Sequence, residues 1–432
     1  MLVGRIGEVV APQRMGVSFR WLLASSWTSN VGDGIALAAG PLLVASQTDS
    51  AFLIAMAALL QRLPWLLFGL WAGAIADRLD RRRLVMVANA LRAVVVSVLV
   101  VSIASGAVSI GVVLAVMFAY GVAEVFADSA SQTLLPTLVR PADLGIGNAR
   151  LQAGYLVANQ LVGPPVGAFL FAAGMAWPFA AQVVAVALAV VLVGRIVLPP
   201  PPDVNPADDT AERTHVWHDI RDGVRWILAH PPVRTLALVI LVFNVTWAAP
   251  WGILVKYALD HLHLGEVGFG LLTTATAVGG LVGIASFGWL ERHARLATLM
   301  RVCLTLEVLM HAALALTTSG PVAIGIMVVF GAYAFVWGTV SATVRQRAVP
   351  LAFQGRVGSV YMVAVFGGLA IGQAIGGLLA ERWGVLAPFW FAFAGSAITL
   401  ALVWRQLAQI AYAGAPPEGL DREADPDPPT VG

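Results

Sequence analysis

About twelve apolar stretches, each near the roughly 20 residues that a helix needs to cross a bilayer core, follow one another along the chain with short polar breaks between them. Continuous apolar runs of that length predict helices, because in lipid the backbone must satisfy its own N–H and C=O groups. Hydropathy and turn residues place the helices at about 18–45, 52–76, 84–105, 109–134, 146–172 and 175–198, then at about 233–257, 267–290, 296–317, 321–345, 355–380 and 385–409. Only 12% of the 432 residues are charged, against about 25% in soluble domains, so a water-soluble globule is excluded. The expected fold is an all-α membrane protein.

The net charge of +2 says little; where the charges sit says more. Basic residues are spread over loops instead of forming one patch, so no nucleic-acid partner is expected. The single cysteine, Cys303, excludes an intramolecular disulfide and a cysteine-built metal cluster. The chain has no His-Glu-x-x-His motif and no phosphate-binding loop ending in Gly-Lys-Ser/Thr. No metal site, ATP site or enzymatic centre is expected. The first twenty residues carry Arg5, Arg14 and Arg20 without an apolar core ending in a cleavage site, so no cleaved signal peptide is expected.

The stretch Gly73 to Arg83 is a charged hairpin between the second and third apolar runs, with four arginines in positions 78–83. Short basic loops favour the cytoplasmic face. Setting both termini inside makes Arg78–Arg83, Arg140, Arg213–Arg234, Arg292–Arg295, Arg345–Arg356 and Arg405–Arg422 cytoplasmic and leaves Lys256 and Arg382 outside. Gly73 lets a neighbouring helix approach. Asp77 can accept hydrogen bonds from Arg78 or from a facing helix N-terminus. A loop that only orients the chain would read the same way.

The pattern Gly-x-x-x-Asp-Arg-x-x-Arg-Arg at residues 73–82 closely resembles the signature loop of the major facilitator superfamily of transporters. Asn30-Val-Gly-Asp-Gly34, Arg62-Leu-Pro, Leu135-Pro, Asn148-Ala-Arg150 and Gly163-Pro164 resemble its bacterial secretion-effector and drug-efflux branch, over about residues 18 to 405. The resemblance implies about twelve helices in two pseudo-symmetric six-helix bundles, a monomer in the bacterial inner membrane, a small-molecule substrate, and a proton gradient in place of any cofactor. It also implies that Gly73, Asp77, Arg78, Arg81 and Arg82 latch the two halves in the outward-facing state. The second-half loop Glu291–Arg295 departs from that pattern, which puts a latch on its side in doubt.

The expected division is an N-terminal bundle at 1–198, a cytoplasmic linker at 199–232, a C-terminal bundle at 233–409 and a disordered tail at 410–432. The linker opens with Pro199–Pro202, which cannot continue a helix. After it Val216, Ile220, Val224 and Ile227 recur at helical spacing, predicting a short amphipathic helix on the inner membrane face. The halves repeat weakly: Gly163 and Gly167 in the fifth helix correspond to Gly372 and Gly376 in the eleventh, each pair opening a helix face for close packing. A duplicated unit with a pathway between its copies follows.

Each ionisable side chain at membrane depth costs roughly 2.5–3.5 kcal/mol and so needs a partner or a role. Asp33 and Arg62 lie near the midplane of successive helices, which predicts an ion pair, either permanent or gating. Glu124 and Asp128 are four apart on one face of the fourth helix. Asp128 is expected to pair with Arg92. Glu124 is then freer to take up and release a proton, since desolvation disfavours the charged form of a carboxylate. Glu307 and His311, also four apart, read as a mutually satisfied pair or as a proton relay. Asn30, Asn159, Asn244, Trp247, Tyr333 and Trp337 are the candidate substrate cavity: much aromatic surface and few hydrogen bonds, suited to a bulky apolar or cationic ligand or simply to helix packing. The expected activity is export of hydrophobic or cationic small molecules by proton antiport. An uncoupled facilitator or uptake carrier of the same fold, or a membrane receptor or scaffold that moves nothing, stands as the alternative.

Overall fold

The computed structural model describes residues 13–198 and 216–411. Pro199–Pro202 and the expected disordered tail from residue 412 onward lie outside them, as do the side chains of Gly73, Asp77 and Arg78. Among the described residues there is helix and no strand. The first half consists of α1 (Gly16–Gln47), α2 (Ala51–Arg78), α3 (Arg81–Ala104), α4 (Ile110–Leu138), α5 (Pro141–Ala173) and α6 (Trp177–Val193). A surface helix α7 (Val216–Ala229) leads to α8 (Pro231–Trp251), α9 (Gly265–His293), α10 (Leu296–Leu316), α11 (Gly320–Ala348), α12 (Leu351–Trp383), α13 (Ala387–Val403) and a short α14 (Gln406–Ala411). Nine helices of the described residues are long and apolar enough to cross a bilayer; α1 spans 32 residues, and α6 and α13 are apolar helices of 17. The chain is a multi-pass membrane protein.

Local chemistry sets the breaks. Ser50 caps α2 by accepting from the Leu53 N–H at 3.3 Å, and Asp80 caps α3 by accepting from the Arg83 N–H at 3.0 Å. Proline stands in the first turn of α6, α8, α11 and α13, where a missing N–H is harmless. Inside α5 the pair Pro164-Pro165 has the opposite effect: neither residue donates to the turn before it, and Tyr155–Val162 widens into a π-helix. The sequence predicts one helix over 385–409; the structure divides it into α13 and α14.

One packing scheme occurs twice. In the first half α1 packs on α5 and α6, α2 on α4, and α3 on α4 and α6. In the second, α8 packs on α12 and α13, α9 on α11, and α10 on α11 and α13. Gly163 and Gly167 sit against Gly34 and the Ile35 carbonyl of α1, and Gly372 and Gly376 against the Val245 and Ala249 carbonyls of α8. Any Cβ at these positions would overlap backbone, so the first and fifth helices of each half touch at glycine. The halves meet along two seams, α2 with α12 and α5 with α9.

The basic loop holds its own half together. The Arg82 guanidinium donates to the carbonyl of Gly194 at the end of α6, a cation on a helix C-terminus. Helix α7 is not simply laid on the membrane surface: Gly223 abuts the Arg356 backbone of α12, Asp222 reaches the Arg356 guanidinium at 3.5 Å, and Trp226 stacks on Phe353. Gly223 lets the two helices approach, and Asp222 and Trp226 on either side of it make the contacts.

Candidate functional site

The widened turn of α5 points Tyr155 and Gln160 into a cavity of about 270 Å³ between the halves, whose lining also includes Gln61 and Arg62 of α2, Trp247 and Trp251 of α8, and Gln373 of α12. Contacts across the seam cluster toward the end opposite the arginine loops. There Glu381, near the end of α12, accepts from the Ser50 hydroxyl and the Phe52 N–H, each at 3.2 Å. Ala55 abuts Gly252 and Gly377, and Gly270 abuts Ala168 and Pro164. Trp65 stacks on Phe366 nearer the middle of the membrane, ring centroids 5.9 Å apart.

Beside the cavity lies a buried ionic node. Arg92, 1% exposed, is ion-paired with Asp33, and the Tyr120 hydroxyl accepts from Arg92 while donating to Asp33. Asn89 accepts from the other side of the guanidinium at 2.8 Å, and the guanidinium also sits 4.7 Å from the centroid of the Tyr120 ring. This corrects both predicted pairings. Asp33 binds Arg92 and not Arg62, and Arg92 is taken by Asp33 and not by Asp128. Arg92 and Asp33 meet by side-chain reach and not by close backbone packing, since α3 packs on α4 and α6 while α1 packs on α5 and α6.

Three charges are left over. Among the described residues Arg62, Glu124 and Asp128 make no hydrogen bond or ion pair; Arg62 is exposed to the cavity and the two carboxylates are half-buried. Glu124 stands at the midpoint of α4 and senses Arg92, Asp128, Asp33 and Arg62 electrostatically. The site thus sets free acids beside an ion pair, within which the Arg92 Nε is left without a hydrogen-bond partner.

The candidate cavity residues divide. Asn244, Trp247, Tyr333 and Trp337 line a second pocket of about 240 Å³ within the second half, and Trp247 and Phe330 belong to both spaces. Asn30 turns back to the Ser26 carbonyl of its own helix at 2.7 Å. Asn159 is buried where Gly34 of α1 crosses, and its amide oxygen accepts from Gln160. Neither asparagine lines the two spaces; Gln160 and Tyr155 take that place, because the π-turn shifts the facing of α5. In α10 the Glu307 carboxylate bonds His311 at 3.1 Å and the Tyr333 hydroxyl at 2.7 Å. Tyr120 and Tyr333 were the signals to be found: each is a tyrosine in an apolar helix at the depth of an ionisable partner. No group of three or more potential metal ligands occurs among the described residues.

Two repeated six-helix bundles enclosing a mid-membrane cavity define a transporter of the major facilitator fold. The family model described as transmembrane secretion effector matches residues 8–416. The chain belongs to that family. It is 29% identical over 390 residues to the multidrug efflux pump Tap of Mycolicibacterium fortuitum, covering 85% of this chain and 90% of that one. It is 24% identical over 369 residues to the enterobactin exporter EntS of Shigella boydii, covering 84% and 85%. In fold it is similar to the inward-facing crystal structure of a bacterial homologue of the iron transporter ferroportin, with a TM-score of 0.74 at 17% identity, covering 91% of this chain and 98% of that one.

Proposed function

We propose that this protein exports hydrophobic small molecules across the bacterial cytoplasmic membrane in exchange for protons. Export is the activity named for its relatives Tap and EntS. The observation that carries proton coupling is the state of α4: Glu124 and Asp128 share one face, half-buried and without hydrogen-bonding partners among the described residues, beside an Arg92 that is ion-paired with Asp33. Carboxylates so placed can exchange protons without dismantling the fold. The proposed cycle rocks residues 1–198 against 233–409 about the two seams, with both termini and the arginine loops in the cytoplasm. In that orientation Glu381 and Ser50 close the outer side, and the basic loop, through Gly73, Asp77, Arg78, Arg81 and Arg82, latches the inner side in the opposite state. A monomer suffices, and the proton gradient is the only energy source. One proton entering across about 100 mV supplies roughly 2.3 kcal/mol, enough for a gradient of about fiftyfold of a neutral compound; one proton exchanged for a monovalent cation moves no net charge and draws on the pH difference or on a second proton.

The test is Glu124→Gln. Energised efflux falls to the level of cells lacking the protein, while equilibrium binding of a transported compound stays within about threefold of wild type. Efflux equal to wild type removes Glu124 from the mechanism. The pairing of Asp33 with Arg92 favours a second reading, an uncoupled facilitator with a static ionic node. Under that reading Glu124→Gln and an uncoupler both leave transport unchanged.

A further inference from the structure

Two acidic side chains are buried among the described residues, and only one of them lacks an arginine or lysine partner. Asp143 is bridged by Arg14 and Arg140. Glu307 has only the His311 ring and the Tyr333 hydroxyl. Yet Glu307 also lines the 240 Å³ pocket, whose other walls include the rings of Trp247, Phe330, Tyr333 and Trp337. A carboxylate at membrane depth needs a partner or a role, His311 balances this one only when its ring is protonated, and aromatic faces attract cations through their quadrupoles.

We infer that this pocket is a cation subsite: it takes a quaternary onium or protonated-amine headgroup against Glu307, while the ligand's apolar body lies in the central cavity. Its volume is below the roughly 300–1,000 Å³ of whole-ligand pockets, which suits a headgroup. Trp247 and Phe330 line both spaces, so one molecule can reach from one into the other. Arg62 lines the central cavity while Glu124 and Asp128 do not, so the charge exposed at that end is positive and a cationic group is favoured at the Glu307 end. Cys303 joins the same wall but stands one helical turn from Glu307, and the wall forms no metal-binding group.

The inference deepens the export reading and rests on it, but its test needs no gradient. Purified full-length protein in lipid nanodiscs is titrated with a biphenylmethyl-trimethylammonium ion and with its neutral isostere, in which a tert-butyl group replaces the trimethylammonium. Wild type binds the cation more tightly. Glu307→Gln, which can keep hydrogen bonds to Tyr333 and His311, weakens the cation by about tenfold or more and leaves the neutral probe within about twofold. Trp337→Leu, which leaves the carboxylate alone, also weakens the cation more than the neutral probe. Equal affinity of wild type for both probes, or equal effects of Glu307→Gln on both, overturns the inference. Either result leaves the export reading standing, since that reading fails only through loss of uncoupler-sensitive efflux.

Discussion

Arg92 and Arg62 carry the same charge at similar depth and have different consequences. Removing one member of a buried ion pair strands the other, so Arg92→Gln should destabilise the protein by about 3–5 kcal/mol. A detergent-solubilised thermal melt checks this: Arg92→Gln lowers the midpoint strongly, and Arg62→Gln leaves it near wild type while reducing transport. A melt in which Arg62→Gln is the more damaged would contradict the assignment. The pairing itself could not be read from the sequence. Depth along each helix was legible, because apolar runs have visible ends, and it sets Asp33, Arg62 and Glu124 near the midplane; it also matches Arg92 to Asp128, whereas the structure pairs Arg92 with Asp33. Azimuth was not, because α1 and α2 are joined by a short loop yet each packs chiefly on other helices. Glu307 and His311 were legible as a pair since both lie on one helix at a spacing of four.

At the scale of the helix, the glycine crossings and the seam make separate predictions. At Gly376 a side chain would meet the Ala249 carbonyl, whereas at Gly338 nothing stands within 4 Å. Gly376→Val should therefore cost about 1–3 kcal/mol by forcing α8 and α12 apart, and Gly338→Ala should be neutral in the same melt. The Glu381 carboxylate caps the N-terminus of α2 from the other half, where it interacts favourably with the helix dipole. Glu381→Gln weakens that clasp and shifts the population toward the state open at that end. Labelling of a cysteine placed at Ser50's neighbour Asp49 should quicken; an unchanged rate in the variant would show that the clasp does not hold the seam. The π-turn of α5 was missed by helical periodicity, although Pro164-Pro165 was its visible cause.

Among the described residues, each half buries an ionisable group against a tyrosine hydroxyl: Tyr120 bridges Arg92 and Asp33, and Tyr333 donates to Glu307. Arg92 and Glu307 lie eleven residues after Arg81 and Leu296, the first residues of α3 and α10. Their signs differ, so the duplication has kept the position and not the chemistry. The first half keeps its pair neutral and leaves Glu124 and Asp128 free; the second keeps a lone carboxylate behind aromatic walls. That division suits a machine in which one half handles protons and the other the ligand, moving about the α2–α12 and α5–α9 seams. The direct test is to measure both fluxes at once in proteoliposomes, with a trapped pH dye and a labelled lipophilic compound. The account predicts that an imposed proton gradient drives the compound uphill against proton flow, that an uncoupler abolishes the accumulation, and that Glu124→Gln loses both movements together. Accumulation that survives the uncoupler, or compound movement with no matching proton flux, would contradict it.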